Sequence, residues 1–249
     1  ISSCIGSVKK YAPDGTEVIV IDNNSTDDSV KKIQREKVKL IQNKENFGFA
    51  KAVNQGIKEA KGEYILLLNP DTQVKVNALQ ELLKFARETN DCGAVGPKLL
   101  NPDGSTQASA FNFPSFISAA REYWLGQKGE YSKYTPRGNH ASIVDLLVMA
   151  CLLITPKALS KVGLLDEKFF MYYEDIDYCK QLKEAGLKVY YLPQAKVVHH
   201  HGASGRNLSP SEDQWRRLIP SSKKYHGVLM HYLINFVLWS GQKWLRIIK

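Results

Sequence analysis

The chain has 249 residues, 43% of them hydrophobic, which suffices for one compact α/β domain with a core and a small appendage. Its 34 Lys and Arg against 25 Asp and Glu give a net charge of +9, pointing to a partner that carries phosphate: a nucleotide, a nucleic acid or an anionic membrane surface. Cys4, Cys92, Cys151 and Cys179 are scattered without a C-x-x-C pair, and no apolar run reaches the roughly 20 residues that span a bilayer, so the composition argues against a disulfide framework and a membrane span and predicts reduced thiols in the cytoplasm.

In chain order, Ile5 to Tyr11 reads as part of a helix that leads into a Pro13-Asp14-Gly15 turn. Glu17 to Asp22 is an apolar strand ending in a carboxylate. Ser25 with Asp28 three residues on predicts a capping box that opens a helix running to about Arg35. Val38 to Gln42 is a third short element, a strand, and the polar loop Asn43 to Phe49 precedes a helix over Ala50 to Ala60, ended by Lys61-Gly62.

The run Tyr64-Ile65-Leu66-Leu67-Leu68 has no alternation, which predicts a strand buried on both faces of a parallel sheet covered by helices. It stops at Asn69-Pro70-Asp71. Pro70 cannot donate to a ladder and disfavours helix at Asn69, so Asp71 is expected in a turn beyond the strand's carboxyl end, the edge where open α/β sheets bind ligands. Strict alternation of strand and helix to this point argues for βαβ units with right-handed crossovers.

Apolar positions 79, 82, 83 and 86 predict a helix over Val76 to Thr89, followed by a strand at Ala94 to Leu100 and a turn at Asn101 to Gly104. Ser105 to Asn139 is aromatic and irregular, an insertion over the sheet. Val144 to Ile154 is apolar, Thr155-Pro156 starts a short helix, and Glu174 to Ala185 is a helix with an acidic first turn, terminated by Gly186. Lys188 to Leu192 and Lys196 to His199 read as two short strands ahead of His200 and His201. Gly205 to Asp213 reads as a mobile link, and Gln214 to Lys249 as a helical, basic and aromatic extension.

Taken together, Val20-Ile21-Asp22-Asn23-Asn24-Ser25-Thr26-Asp27, Glu45-Asn46-Phe47-Gly48-Phe49-Ala50, Leu68-Asn69-Pro70-Asp71-Thr72, Leu165-Asp166-Glu167-Lys168-Phe169-Phe170, Glu174-Asp175-Ile176-Asp177 and Val198-His199 occur in one order from Val18 to about Ser204. In this they resemble the family 2 inverting glycosyltransferases of the GT-A fold, in particular the rhamnosyltransferase-like branch that builds bacterial surface polysaccharides. The resemblance implies an α/β, Rossmann-like, mostly parallel sheet flanked by helices over residues 1–205, with a basic amphipathic helical extension over 206–249. The family's first strand is expected ahead of Ile1, outside this chain.

The resemblance also implies roles. Asp22 and Asn24 would contact the donor nucleotide, although Asp in that position also serves as a helix cap. Asn46 and Gly48 would let the backbone approach the nucleotide, although Asn-x-Gly is equally a turn. Asn69-Pro70-Asp71 stands for the family's D-x-D metal motif, with Asn69 in place of the first Asp and Asp71 as the metal-binding carboxylate for Mg2+ or Mn2+. His199 would complete the metal site with a neutral imidazole. Asp175 would be the general base, with Glu174 beside it; acidic residues in a first helical turn also merely favour the helix dipole. Asp166 and Glu167 would shape the acceptor side, and Met149 stands where the family often has Gly beside the donor sugar. The implied donor is a nucleotide-diphosphate sugar, dTDP-rhamnose or a UDP-sugar, and the implied acceptor a glycan or lipid-linked glycan. A sugar-nucleotide-binding module without turnover is the alternative. Nucleic acid is not expected, since no recognition motif accompanies the charge. The stretch Val228 to Trp239, with basic residues on either side, fits a peripheral position on the inner face of the membrane, packing onto the domain, or a homodimer contact equally well.

Overall fold

The computed structural model describes residues 1–200 and 214–247. In chain order the elements are α1 (Ser2–Tyr11), β1 (Ile19–Asp22), α2 (Ser29–Arg35), β2 (Lys39–Gln42), α3 (Phe49–Glu59), β3 (Ile65–Leu68), β4 (Thr72–Val74), α4 (Ala78–Glu88), β5 (Cys92–Leu100), β6 (Ala110–Phe111), α5 (Phe116–Tyr123), β7 (Ser142–Val144), β8 (Leu146–Leu147), β9 (Cys151–Ile154), α6 (Pro156–Lys161), α7 (Glu174–Glu184), β10 (Lys188–His199), α8 (Gln214–His226) and α9 (Val228–Ile247). The α/β expectation is met: β1 and β2 pair in parallel, and a larger sheet runs in the order β3-β9-β5-β10-β4 with β7 also along β10. That sheet is mixed. β5 and β10 are parallel, whereas β9 is antiparallel to both β3 and β5, and β4 and β7 are antiparallel to β10.

The sheet's residues feed a core on each face. Val95, Leu99 and Val197 pack with Leu82 of α4 on one side, while Leu152, Ile154 and Tyr191 pack with Tyr178 and Leu182 of α7 on the other. These side chains are almost fully withdrawn from water, and each such aliphatic group contributes about 1.5–3 kcal/mol. Thr155 caps α6 by accepting the Ala158 N–H, with Pro156 at the first helical position.

Two local expectations are corrected and one strand is added. The capping box at Ser25 and Asp28 does not form: α2 starts at Ser29, whose N–H bonds Asp27 Oδ1 at 2.9 Å, and Ser25 N–H is held instead by Asp22. The two strands at Lys188 and Lys196 are one strand, β10, with a register shift between Leu192 and Lys196; Pro193, which has no N–H to give, falls within the shift, and the strand bulges rather than stops. Asp71 lies in a turn as expected, and a short strand that the sequence reading did not include, β4, fits between it and α4 because Thr72 to Val74 pair with the edge of β10.

The strand β3 departs most from its sequence reading. It is not buried on both faces within a parallel sheet: Ile65, Leu66 and Leu68 are half-buried, and its one sheet neighbour among the described residues is the antiparallel β9. Its other edge faces a cavity of about 800 Å³ that separates it from β1. Ile5 and Val8 of α1 and Val53 and Ile57 of α3 line the cavity, together with Asn23 and Asn69. Glu17 Oε1, just ahead of β1, accepts the N–H groups of Lys61 and Gly62, just ahead of β3, at 2.5 and 2.9 Å, which ties the starts of the two strands together.

At the C-terminal end, Ile234 and Val237 of α9 pack on Ala119 of α5, and Gly241 sits so close to Tyr123 that any Cβ there would collide with it. Trp124 Nε1–H donates to Ser240 Oγ at 3.0 Å. The expected link over Gly205 to Asp213, the 205/206 boundary and His201 lie outside the described residues.

Candidate active site

Asp71 reaches the site because β3 ends in a tight turn. Asn69 donates its N–H to Ala150 O at 2.9 Å, and its own carbonyl accepts the Thr72 N–H and hydroxyl at 3.2 and 2.7 Å. Thr72 then pairs with His199, the last residue of β10, and the His200 N–H donates to Asp71 O at 2.9 Å. Two distant strand ends are thereby brought together. His199 Nε2 lies 3.5 Å from Asp71 Oδ1, with both side chains 8% exposed.

His199 Nδ1 lies 2.8 Å from Gln107 Oε1. An amide oxygen can only accept, so this contact places a proton on Nδ1 and fixes the ring with Nε2 toward the Asp71 carboxylate. The imidazole nitrogen and the carboxylate oxygen thus lie 3.5 Å apart at the meeting of the two strand ends. Among the described residues no group of three His, Cys, Asp or Glu converges on one point. One carboxylate and one imidazole are the residues here that could hold a divalent cation, whose further ligands would be phosphate oxygens.

The other candidate nucleotide contacts sit around the open ends of β1 and β3. Asp22 is buried at 6% exposure and holds Ser25 N–H at 3.2 Å through Oδ2, and Asn24 adopts a left-handed φ of 66°. Asn23 donates to Gly48 O at 3.0 Å and accepts from Asn43, which is itself paired with Gln55. Asn46 Oδ1 accepts the Gly48 N–H at 2.9 Å. Gly48 has φ 86°, and the space a Cβ would take is filled by the Phe170 carbonyl, which accepts the Phe49 N–H at 2.7 Å. The close approach that needs glycine here is thus to the chain's own Phe170, which locks the start of α3 to the segment leading into α7.

That segment is strained. Tyr172 and Tyr173 both have positive φ, 66° and 72°, immediately before α7. Such conformations cost about 1–3 kcal/mol each in non-glycine residues and persist where packing holds them. Here α8 does so: Ser221 Oγ donates to Met171 O at 2.8 Å, and Tyr173 packs against the rings of Tyr225 and His226. The consequence is the placement of Glu174 and Asp175. Glu174 is 8% exposed, and its Oε2 has no hydrogen-bond partner among the described residues. Burial, then the neighbouring Asp175 charge, pushes its pKa up to about 8. Asp175 is also raised by burial, and the Ile176 N–H and the Lys133 ammonium partly oppose that rise. Burial thus disfavours the charged form of both carboxyl groups, and only Asp175 has an opposing cation, Lys133, beside it.

Asp177, in the same turn, is committed elsewhere, to Lys168 Nζ at 3.5 Å and Gln181 Nε2 at 2.7 Å. Asp166 pairs with Lys168 at 2.6 Å, Glu167 accepts from Asn54 at 2.9 Å, and Met149 is buried in the core.

The profile described as Glycosyl transferase family 2 matches residues 1–140. The chain belongs to that family. An N-acetylglucosaminyl-diphospho-decaprenol L-rhamnosyltransferase of Mycobacterium tuberculosis is 32% identical over 206 residues, covering 75% of this chain and 67% of that protein. The dTDP-rhamnosyl transferase RfbF of Shigella flexneri is 26% identical, covering 74% of this chain and 60% of its own length. Among solved structures, GalNAc-T7 with UDP, GalNAc and Mn2+ superposes with a TM-score of 0.58 at 18% identity, over 79% of this chain and 40% of that one. Staphylococcus aureus TarS in complex with UDP gives a TM-score of 0.55 at 15% identity, over 89% and 60%. These likenesses show the GT-A fold. The chain spans two thirds or less of the length of each of these proteins.

Several residues of this family 2 chain were not visible as site residues in the sequence. Gln107 orients His199 from 92 positions away. Asn54, 1% exposed, grips Leu165 through both its N–H and its carbonyl, at 3.0 and 2.8 Å. One signal for Asn54 existed: it is a polar residue on the apolar stripe of α3, between Ala50 and Ile57. Lys133, which acts on Asp175, comes from the irregular insertion and had no such signal.

Proposed function

We propose that the chain is an inverting glycosyltransferase that moves a sugar, rhamnose from dTDP-rhamnose in the first instance or a hexose from a UDP-sugar, to a hydroxyl of a lipid-linked glycan. The observation that carries this reading is the meeting of Asp71 and His199 at the carboxyl ends of β3 and β10, on a family 2 chain whose relatives are named for rhamnosyl transfer. Asp22, Asn24, Asn46, Gly48 and Asn69 border the nucleotide. Asp71 and His199 hold Mg2+ or Mn2+, which supplies neutralisation of the charge that gathers on the departing diphosphate.

Asp175 removes the proton from the acceptor hydroxyl as its oxygen bonds to the anomeric carbon. The bond from that carbon to the diphosphate breaks on the opposite face, so configuration inverts and the proton rests on Asp175. Glu174, protonated at neutral pH, adds no second negative charge beside the base. The lipid-linked acceptor follows the decaprenol acceptor in the mycobacterial relative's name. A second reading, donor binding without turnover, is favoured by the open cavity between β1 and β3.

The test is single-turnover transfer from radiolabelled dTDP-rhamnose to a polyprenyl-diphosphate N-acetylglucosamine, with Mg2+. Wild type is expected to form the inverted product and Asp175→Asn to be slower by about 10²–10⁴-fold, the usual worth of a general base. Equal rates in the two proteins would remove Asp175 from the mechanism. Tight donor binding with no product would support the second reading.

A further inference from the structure

We propose that α9 lies in the interface of an anionic membrane. The first observation is where the charge sits. Residues 214–249 contain seven Lys and Arg and no Asp or Glu, so +7 of the net +9 belongs to this segment and 9 − 7 = +2 to the preceding 213 residues. The second is what α9 leaves uncovered. His231, Ile234 and Val237 are buried, whereas Leu229, Tyr232, Phe236 and Trp239 are 75%, 57%, 56% and 56% exposed. Their spacing of three and four residues stacks them along one side of the helix, continuing to Lys243 over about 21 Å at 1.5 Å per residue.

The lysines are arranged as an interface requires. Lys243 Nζ stands over the Trp239 ring at 4.1 Å, and Lys223 Nζ lies 3.0 Å from Tyr232 OH. Aromatic rings with cationic tips at their edges match the boundary between acyl chains and headgroups, where the rings are shielded and the ammonium groups meet phosphate. Among the described residues no helix is long and apolar enough to cross a bilayer, so α9 lies on the surface rather than spanning it. A second copy of the chain is the rival occupant. A two-fold pairing through this ridge would bring two +7 segments together, and that repulsion favours the lipid.

Docking here bears on the site, because α8 joins α9 through Gly227 and holds Met171 and Tyr173, which precede the acidic pair. The proposal shares the lipid-linked acceptor with the proposed reaction, yet it stands on the charge and exposure of α9 alone.

The test is co-sedimentation of the full chain with phosphatidylcholine vesicles, with and without phosphatidylglycerol, in the absence of donor. Binding is expected to the anionic vesicles, to weaken as NaCl rises, and to fall about tenfold or more in Phe236→Ser with Trp239→Ser, whose positions face outward and leave the core intact. Unchanged circular dichroism and unchanged nucleotide binding by that variant separate a lost surface from a lost fold or a failed donor site. Equal pelleting with neutral vesicles, no pelleting with either, or an unaffected double variant would overturn the proposal. So would a concentration-dependent dimer abolished by the same substitutions without any vesicle binding.

Discussion

The proposed donor end of the site and its acidic end are built in opposite ways. Around β1 and β3 the chain offers short strands with free edges, a polar loop held by side-chain amides, and a cavity between the two sheets. Around Glu174 and Asp175 it offers two strained tyrosines, a helix N-terminus and α8 packed over them. The donor end thus has room to be completed by what binds there, whereas the acidic end carries its strain before any ligand arrives. A carboxyl group held out of water needs that rigidity, since a looser loop would rehydrate it and return its acidity to the ordinary range.

The joint between the two ends gives the largest expected effect on stability. Gly48→Ala places a Cβ against the Phe170 carbonyl at a left-handed backbone position, and a loss of about 3 kcal/mol or more in denaturant unfolding is expected, relaxing both ends together. A variant as stable as wild type would mean that the two ends are not joined there.

The acidic end should then show itself through pH. Glu174 is raised from its ordinary 4.5 to about 8, so the folded protein binds more protons than the unfolded chain. Its contribution to stability is complete below about pH 4.5 and is lost as pH rises toward and through about 8. Glu174→Gln, neutral throughout, is expected to flatten that decline, with a gain of about 1–3 kcal/mol over wild type near pH 8. Parallel stability curves for the two proteins would show that Glu174 ionises freely.

A smaller effect is expected at the donor end. Fusing a four- or five-residue apolar β-forming segment and a short link ahead of Ile1 should fill the cavity between β1 and β3 and raise the melting temperature by about 2–4 °C for each kcal/mol gained. It should leave the pH dependence of the acidic pair unchanged. No shift, together with solvent-exposed amides on β3 in hydrogen exchange, would mean that the cavity does not accept a strand.

The parts of this architecture that the sequence displayed are those fixed locally. Asp22 and Asp71 end apolar runs, Glu174 opens a helix, and Gly186 closes it with a φ of 74°. By residue pattern His199 reads only as a strand end, and its place with Asp71 was implied by the resemblance alone; their meeting requires the pairing of β4 with β10, a contact between residues 127 positions apart in the register His199↔Thr72. What failed did so for identifiable reasons. The unbroken run Ile65 to Leu68 reads as doubly buried because periodicity cannot distinguish a central strand from an edge strand beside a cavity. Pro193 reads as a break because it removes a donor, yet a bulge absorbs it. Gln107, Asn54 and Ser221 act through long-range hydrogen bonds, which local pattern does not encode.

The division of labour between the two ends is tested most directly by titrating dTDP into the protein by calorimetry with Mn2+ present, for wild type, Asp71→Ala and Asp175→Asn. Metal-dependent binding is expected in wild type and in Asp175→Asn with similar affinity, and a loss of about tenfold or more in Asp71→Ala. Equal binding by Asp71→Ala, or loss of binding in Asp175→Asn, would contradict the assignment of donor and metal to the Asp71–His199 end and of acceptor chemistry to the other.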